Sequence, residues 1–451
     1  MMKQETVLEM LKLGYNIFLT GPAGSGKTFL LNKYINYLKK GDIEVSITAS
    51  TGIAATHLNG RTIHSWSGIG ISEEMTEKQI KNLKEKDILV SRIISAKVLI
   101  IDEVSMLNAK RLDLIDRVCQ AFRQDFRPFG GMQVVLCGDF FQLPPVARGA
   151  EDKRFITESE VWKNSDIKIC YLEEQYRQDD EKFLKVLNAI RNNSAGKETY
   201  EELQKRINKK IKSKIKPTKL HTHKVDVDSY NNFELEKIKG KESVHMMKSE
   251  GNDFLIKNLK DTYCLAPETL KLKVDAVVMF VKNNFAKKYV NGTIGKVIAY
   301  DDTYPVIETF SGDIITAYPE RWMIEEGGEV LASVDQVPLR LAWAITVHKS
   351  QGMSLDCAEI DLSKTFEYGM GYVALSRVRS LAGIKLIGIN EMALKVNEKA
   401  IILDKELIQK SKHDLAAFMS IKRKELKENQ KKFLKINKKG NIYEGLLSGL
   451  G

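Results

Sequence analysis

Between positions 21 and 28 the chain reads Gly-Pro-Ala-Gly-Ser-Gly-Lys-Thr, and this octet constrains the fold more than any other stretch. The pattern GxxxxGK[ST] needs a buried strand to end, backbone N–H groups to close around a phosphate, and a helix to begin. Asn16–Thr20 supplies an apolar strand and Lys27–Leu38 a helical pattern. Lys27 is placed to reach the β- and γ-phosphates of a nucleoside triphosphate, and the Thr28 hydroxyl to complete Mg²⁺ coordination. Gly21, Pro22, Ala23, Gly24, Ser25 and Gly26, with Phe29 just beyond, are the other candidate nucleotide contacts.

Strands and helices alternate through the first 175 residues. Glu44–Ala49, Lys97–Ile101, Gln133–Cys137 and Ile167–Leu172 read as further buried strands, and Met106–Phe122 as a helix. Such alternation predicts an α/β fold with a parallel, doubly wound sheet. The pattern returns at Leu220–His223, Leu341–Thr346, Ala358–Leu362 and Ile384–Ile389, with helices over Lys182–Arg191 and Gly369–Arg379, which predicts a second α/β lobe. Residues 271–335 break it with short alternating strands and an Asn291-Gly292 turn, the mark of a small antiparallel barrel. The expected domains are therefore 1–175 with a small polar insertion near 68–95, 176–270 with 336–400, the barrel 271–335, and a basic tail 401–451.

The strand Lys97–Ile101 runs into Asp102-Glu103. A carboxylate at the end of a buried strand near a phosphate loop suits Mg²⁺, and Glu103 beside it suits polarising the attacking water. Loop and acid together predict hydrolysis rather than nucleotide binding alone. Gln133–Cys137 leads into Gly138-Asp-Phe-Phe-Gln-Leu-Pro-Pro145, where Gln142 can sense the γ-phosphate or the water. Phe141, Pro144 and Pro145 form a rigid ring-rich loop of the kind that stacked bases use, with loop packing an equal reading. Thr51 in Thr48-Ala-Ser-Thr-Gly-Ile-Ala-Ala and His64 and Trp66 in Arg61-Thr-Ile-His-Ser-Trp66 suit a phosphodiester chain or stacking on bases, with core packing the competing reading for Trp66. In the second lobe Val347-His-Lys-Ser-Gln-Gly352 ends a strand and begins a helix, with His348, Lys349 and Ser350 as further candidate contacts to a nucleic-acid strand and Gly352 as a candidate nucleotide contact. Arg177 and Arg377 are candidates to stabilise charge on a γ-phosphate.

Composition narrows the class. Lys and Arg number 70 against 59 acids, a net charge of +11, and a basic globular chain favours a polyanionic partner. The excess is uneven: residues 201–220 and 410–440 carry most of it, outside every motif above. Five isolated cysteines with no CxxC spacing support neither a disulfide framework nor a zinc site. His221 and His223 alternate as on a strand and read as structural. No apolar run approaches the roughly 20 residues a membrane helix needs, and the N-terminus lacks a signal-peptide core, so no membrane partner and a cytoplasmic, nucleoid-associated location are expected.

Taken in order, GPAGSGKT, TASTGIAA, IHSW, LIIDEVSML, GDFFQLPPV, LEEQYRQ, ITVHKSQG and YVALSRVRS resemble the superfamily-one DNA helicases of the Pif/RecD branch, over about residues 1–390. The resemblance implies two RecA-like lobes around one ATP, with single-stranded DNA crossing both, and 5′→3′ movement. It implies that Gln4 reads adenine, that Arg177 and Arg377 contact the γ-phosphate, and that 271–335 is an SH3-like module covering the DNA. It further implies ATP and Mg²⁺ as cofactors, forked or tailed duplexes as substrates, and G-quadruplex and R-loop substrates in replication, repair or recombination. The compact chain looks like a minimal bacterial or phage form, expected to be a monomer. An RNA-directed helicase and a non-translocating nucleotide switch are the competing readings, and residues 68–95 are the candidate duplex-splitting element.

Overall fold

A computed structural model describes residues 2–58, 60–70, 72–145, 153–176, 178, 180–211, 217–223, 227–260, 264–282, 284, 289, 291–326 and 329–438. The chain forms two compact units. One takes Met1–Phe140, Pro144–Arg177 and Glu398–Gly451; the other takes Phe141–Leu143 and Gln178–Asn397.

The first unit is built on six parallel strands: β1 (Ile17–Thr20), β2 (Val45–Ala49), β3 (Arg61–Thr62), β4 (Val98–Asp102), β5 (Gln133–Cys137) and β6 (Lys168–Tyr171). Their order across the sheet is β3-β2-β4-β5-β1-β6. β1, β4 and β5 are buried along their whole length, as continuous apolar runs covered on both faces require. Four of the expected strands match closely, and β6 is shorter than Ile167–Leu172 by a residue at each end. The two-residue β3 carries no apolar run and gave no sequence signal. The fold is α/β with parallel sheets, as expected.

Helix Gln4–Leu11 buries Val7, Met10 and Leu11 in one core with Leu30, Leu31 and Tyr34 of helix Lys27–Lys40. The 68–95 segment contains helices Glu77–Leu83 and Asp87–Ser95. It is fastened to helix Ala109–Arg123 by Glu73, which accepts from Asn108 Nδ2 and lies 3.8 Å from Arg111, and by Glu77, 2.7 Å from Arg117.

Residues 398–438 are folded onto the first unit. Helix Glu398–Met419 lies along β6: Asp414 accepts from the Ile169 N–H at 2.8 Å and Ser411 from the Tyr171 N–H at 3.1 Å. Phe418 joins the first unit's core. A second helix follows at Arg423–Asn437. The expected basic tail is thus, over its described part, a helical pair packed on the first unit.

The second unit holds a parallel four-stranded sheet, in the order Ala344–Thr346, Thr218–His221, Ala358–Leu362, Ile384–Ile389. The antiparallel part is less simple than one barrel over 271–335. Ile314–Thr316, Tyr304–Thr309, Ile294–Asp301, Val277–Phe280 and Leu339–Leu341 form one five-stranded sheet. The hairpin Glu320–Glu326 with Glu329–Gln336 pairs instead with Lys248–Gly251. All five cysteines are buried. Among the described residues no helix is long and apolar enough to cross a membrane.

Candidate nucleotide and nucleic-acid site

β1 ends at Thr20, and the loop after it is shaped by three glycines with positive φ: Gly21 at 143°, Gly24 at 83° and Gly26 at 82°. Side chains are excluded there by space as well as by φ. A Cβ at Gly21 would lie 2.2 Å from the Leu172 carbonyl oxygen. The following helix, Lys27–Lys40, is capped by Gly26 with no side-chain acceptor, so its first N–H groups keep their partial positive charge for an anion. Lys27 Nζ donates to the carbonyls of Gly21 (2.8 Å) and Pro22 (3.0 Å), which centres a cation inside the loop. Thr28 and Phe29 are exposed at the helix start.

Gln4 and Tyr176 frame the same loop. Gln4 Nε2 donates to the Ser25 carbonyl at 3.4 Å, and a Cβ at Gly26 would stand 2.2 Å from that nitrogen and 3.5 Å from the Tyr176 ring. The Tyr176 N–H donates to the Gly24 carbonyl at 2.8 Å, while its ring is 58% exposed. An amide and an open aromatic face beside a phosphate loop are what a nucleobase needs. Tyr176 was missed as a site residue by the sequence reading, although it precedes Arg177 in the quoted EQYRQ stretch. Arg177 itself lies outside the described residues.

Asp102 closes β4 at 7% exposure. Burial first, and the neighbouring Glu103 charge second, push its carboxyl up to about 7, against the pull of the Cys137 thiol, the Glu103 N–H and Lys27. A buried carboxyl held this reluctantly as an anion is one that a divalent cation would stabilise, and with Thr28 the residues present fit Mg²⁺. Glu103 follows in left-handed conformation, φ 52°, with its N–H turned back onto Asp102 Oδ1 at 2.8 Å.

The loop after β2 is bolted to this acidic pair. The Ser50 N–H donates to the Asp102 carbonyl at 3.0 Å and Ser50 Oγ to the Glu103 carbonyl at 2.6 Å. Thr51, next along, accepts from the Ala54 N–H at 3.2 Å and starts the short helix Gly52–His57. Two hydrogen bonds thus tie Ser50, the residue before Thr51, to the backbone of Asp102 and Glu103.

His64 sits on helix Ile63–Ser67. Burial, and then the Arg111 charge, lower its pKa to about 4, so the ring is neutral at physiological pH. Three expected contacts with bases or backbone do not fit their surroundings. Trp66 is 1% exposed with its indole N–H on Ser46 Oγ at 2.9 Å, which makes it a core residue. Phe141 is 3% exposed, with the Arg191 guanidinium 4.0 Å above its ring. Ser350 is fully buried, its hydroxyl spent on the Val347 carbonyl. Apolar and small hydroxyl side chains are also what cores take, and sequence alone could not separate the two uses. Pro145 is buried and Pro144 half-buried. Their loop is anchored in the first unit through Phe140, which packs on Phe18 and Phe155.

In the second unit Gln142 is buried, and its Oε1 has no hydrogen-bond partner among the described residues. An orphaned amide oxygen of that kind is costly unless something else uses it. His348 lies 3.7 Å from Glu367, and Lys349 is exposed one residue on. Gly352 ends this segment at φ 79°. Arg377, just after helix Met370–Ser376, is 2% exposed, with Nε on the Val373 carbonyl (3.0 Å) and a terminal nitrogen on Ser376 Oγ (2.9 Å).

Comparison with known proteins identifies the family of the chain. A family model described as PIF1-like helicase matches residues 2–201. The chain is 42% identical to the ATP-dependent DNA helicase Pif1 of Psychrobacter sp. (strain PRwf-1), over 96% of this chain and 75% of that one. It is 36% identical to the ATP-dependent DNA helicase PIF1 of Homo sapiens, of whose length it spans 62%. The Pif1 helicase from Bacteroides, solved in complex with ADP-AlF3 and single-stranded DNA, superposes with a TM-score of 0.66 at 32% identity, over 91% of this chain and 97% of that one. With 42% identity running through nearly its whole length, the chain belongs to the PIF1-like helicase family.

Proposed function

We propose that this family member is an ATP-dependent DNA helicase that moves 5′→3′ on single-stranded DNA and unwinds forked or tailed duplexes. The observation that carries the reading is the pair of Ser50 hydrogen bonds, which joins the strand-contacting loop at Thr51 to the hydrolytic pair Asp102-Glu103. A motor needs such a joint, because its grip on the strand must change with hydrolysis.

In this reading Gly21–Lys27 and the helix N-terminus bind the phosphates, Gln4 reads the adenine edge and Tyr176 stacks on its face. Thr28 and Asp102 hold Mg²⁺, which neutralises phosphate charge when bound. Glu103 orients and polarises the attacking water, with Gln142 sensing it. Arg177 and Arg377 take the developing charge on the γ-phosphate, the latter after exchanging its contacts on its own helix. The strand track is assigned to Thr51, His64, Pro144, Pro145, His348 and Lys349, a set with a single permanent charge, as suits repeated gripping and release. Residues 271–335 are assigned as an SH3-like module over the DNA, and residues 1–175 and 176–270 with 336–400 as the RecA-like lobes. G-quadruplexes and R-loops are proposed as further substrates, with a monomer acting in the cytoplasm.

Strand displacement on duplexes carrying only a 5′ or only a 3′ tail tests the whole reading. Displacement confined to the 5′-tailed duplex, with ATP hydrolysis stimulated by single-stranded DNA, is expected. Equal stimulation by RNA would redirect the assignment to RNA. Turnover indifferent to any nucleic acid would make the protein a nucleotide switch.

A further inference from the structure

The last helix, Arg423–Asn437, has two faces with different work. Toward the first unit it presents Leu426, Gln430, Phe433 and Leu434. Phe433 lies against Gly14, where a Cβ would meet its ring at 2.4 Å, and Leu434 against Gly41 at 2.9 Å. Gln430 Nε2 donates to Glu9 Oε2 at 2.8 Å. That side seats the helix.

The neighbouring side is a row of lysines. At about 100° per residue, positions 424, 427, 428, 431 and 435 fall within an arc of roughly 100°, and all five are exposed. Four are lysine and only Glu428 is acidic. Lys424, Lys427 and Lys431 make no ion pair among the described residues. Lysines spaced four apart repel one another, each pair costing the helix about 0.2–0.5 kcal/mol. The row from 424 to 435 is roughly 16 Å long, a length over which one strand of B-DNA carries about five phosphates. Lys39 and Lys40, next to Gly41 in sequence, are also exposed.

Its position separates it from the strand track. Gly14 and Gly41 precede β1 and β2, so the helix sits at the amino ends of the parallel strands. The phosphate loop and Ser50-Thr51 follow the carboxyl ends of those same strands. Phosphates at the lysine row therefore belong to a different stretch of DNA from the strand that Thr51 contacts.

We propose that the lysine face of helix Arg423–Asn437 is a second, sequence-independent binding surface for the backbone of duplex DNA. The proposal rests on the DNA-helicase reading, yet the two fail separately. The test compares the full chain with a triple variant, Lys424→Ala, Lys427→Ala and Lys431→Ala. It measures binding to a blunt duplex and to oligo(dT) across a salt series, together with oligo(dT)-stimulated ATP hydrolysis.

Blunt-duplex affinity of the triple variant is expected to fall about tenfold or more at low salt, and the slope of log K against log[salt] to flatten by roughly 2–3. Oligo(dT) binding and stimulated hydrolysis should stay within about twofold, and Lys→Arg at the same three positions should restore duplex binding. Unchanged duplex affinity and slope would overturn the proposal. Equal losses on duplex and oligo(dT) would overturn it too, by merging the row with the strand track. A wild-type chain whose hydrolysis ignores oligo(dT) would sink the motor reading while leaving the duplex measurement interpretable.

Discussion

Lys27 and His64 show two opposite uses of a titratable side chain. Lys27 keeps its ammonium inside the phosphate loop on two carbonyls, so its charge is already where a β- or γ-phosphate arrives. Lys27→Ala should lower kcat by at least about a hundredfold and leave single-strand binding within a few-fold; a turnover assay with filter binding checks both. His64 is instead held neutral. Its folded pKa of about 4 lies below the usual 6.5, so below pH 6.5 the unfolded chain takes up a proton that the folded one refuses. Stability therefore falls as pH drops from 6.5 toward 4. At pH 5 the penalty is about 2 kcal/mol. His64→Gln, which cannot titrate, should lose correspondingly less stability between pH 7 and pH 5 in denaturant melts. At this scale the sequence was legible where spacing forces a role, as in the octet 21–28 and Asp102-Glu103. It was ambiguous where a side chain serves equally in a core, as with Trp66, Phe141 and Ser350. Tyr176 escaped because its role depends on Gly24 and Gly26, some 150 residues earlier.

Helix Met370–Ser376 illustrates how an element can be fixed by what it lacks. All seven of its residues are buried, and it approaches the segment after Asn390 so closely that a Cβ on Gly371 would sit 2.0 Å from the Ala393 carbonyl oxygen. A Cβ on Gly369 before it, at φ 76°, would sit 2.5 Å from the Phe141 carbonyl oxygen. Gly371→Ala cannot be absorbed by a flexible neighbour, because the obstruction is backbone. A loss of about 1–3 kcal/mol is expected in thermal melts. Arg377 is carried at the end of this helix, so kcat should fall with little change in KM for ATP. Stability and turnover both at the wild-type level would refute the close packing. The parallel strands were the most legible elements, since burial on both faces writes itself as a continuous apolar run. The antiparallel strands within 271–335 were legible as strands but not as members of two sheets, because Lys248–Gly251, which gave no strand signal, and Leu339–Leu341, merged in sequence with the strand that follows it, pair with segments distant in the chain.

At the scale of the whole molecule, the +11 charge and the C-terminal segment turn out to be separable. By sequence, residues 401–451 read as one basic tail. In the fold, helix Glu398–Met419 covers β6, an edge strand of the six-stranded sheet. Its Asp414 and Ser411 accept the Ile169 and Tyr171 N–H groups, Asp404 accepts from the Tyr171 hydroxyl at 2.9 Å, and Phe418 fills the core. An uncovered edge strand is a template for aggregation. Truncation after residue 397 should therefore cost the first unit about 3 kcal/mol or more, lowering its melting temperature by roughly 6–12 °C and reducing soluble yield. Replacing Lys424, Lys427 and Lys431 with Ala removes charge without touching β6 and should not lower the melting temperature. A truncated chain that melts like the intact one would show that this cover is dispensable. Charge and cover lie on consecutive helices, and only their partners, a strand edge for one and solvent for the other, distinguish them.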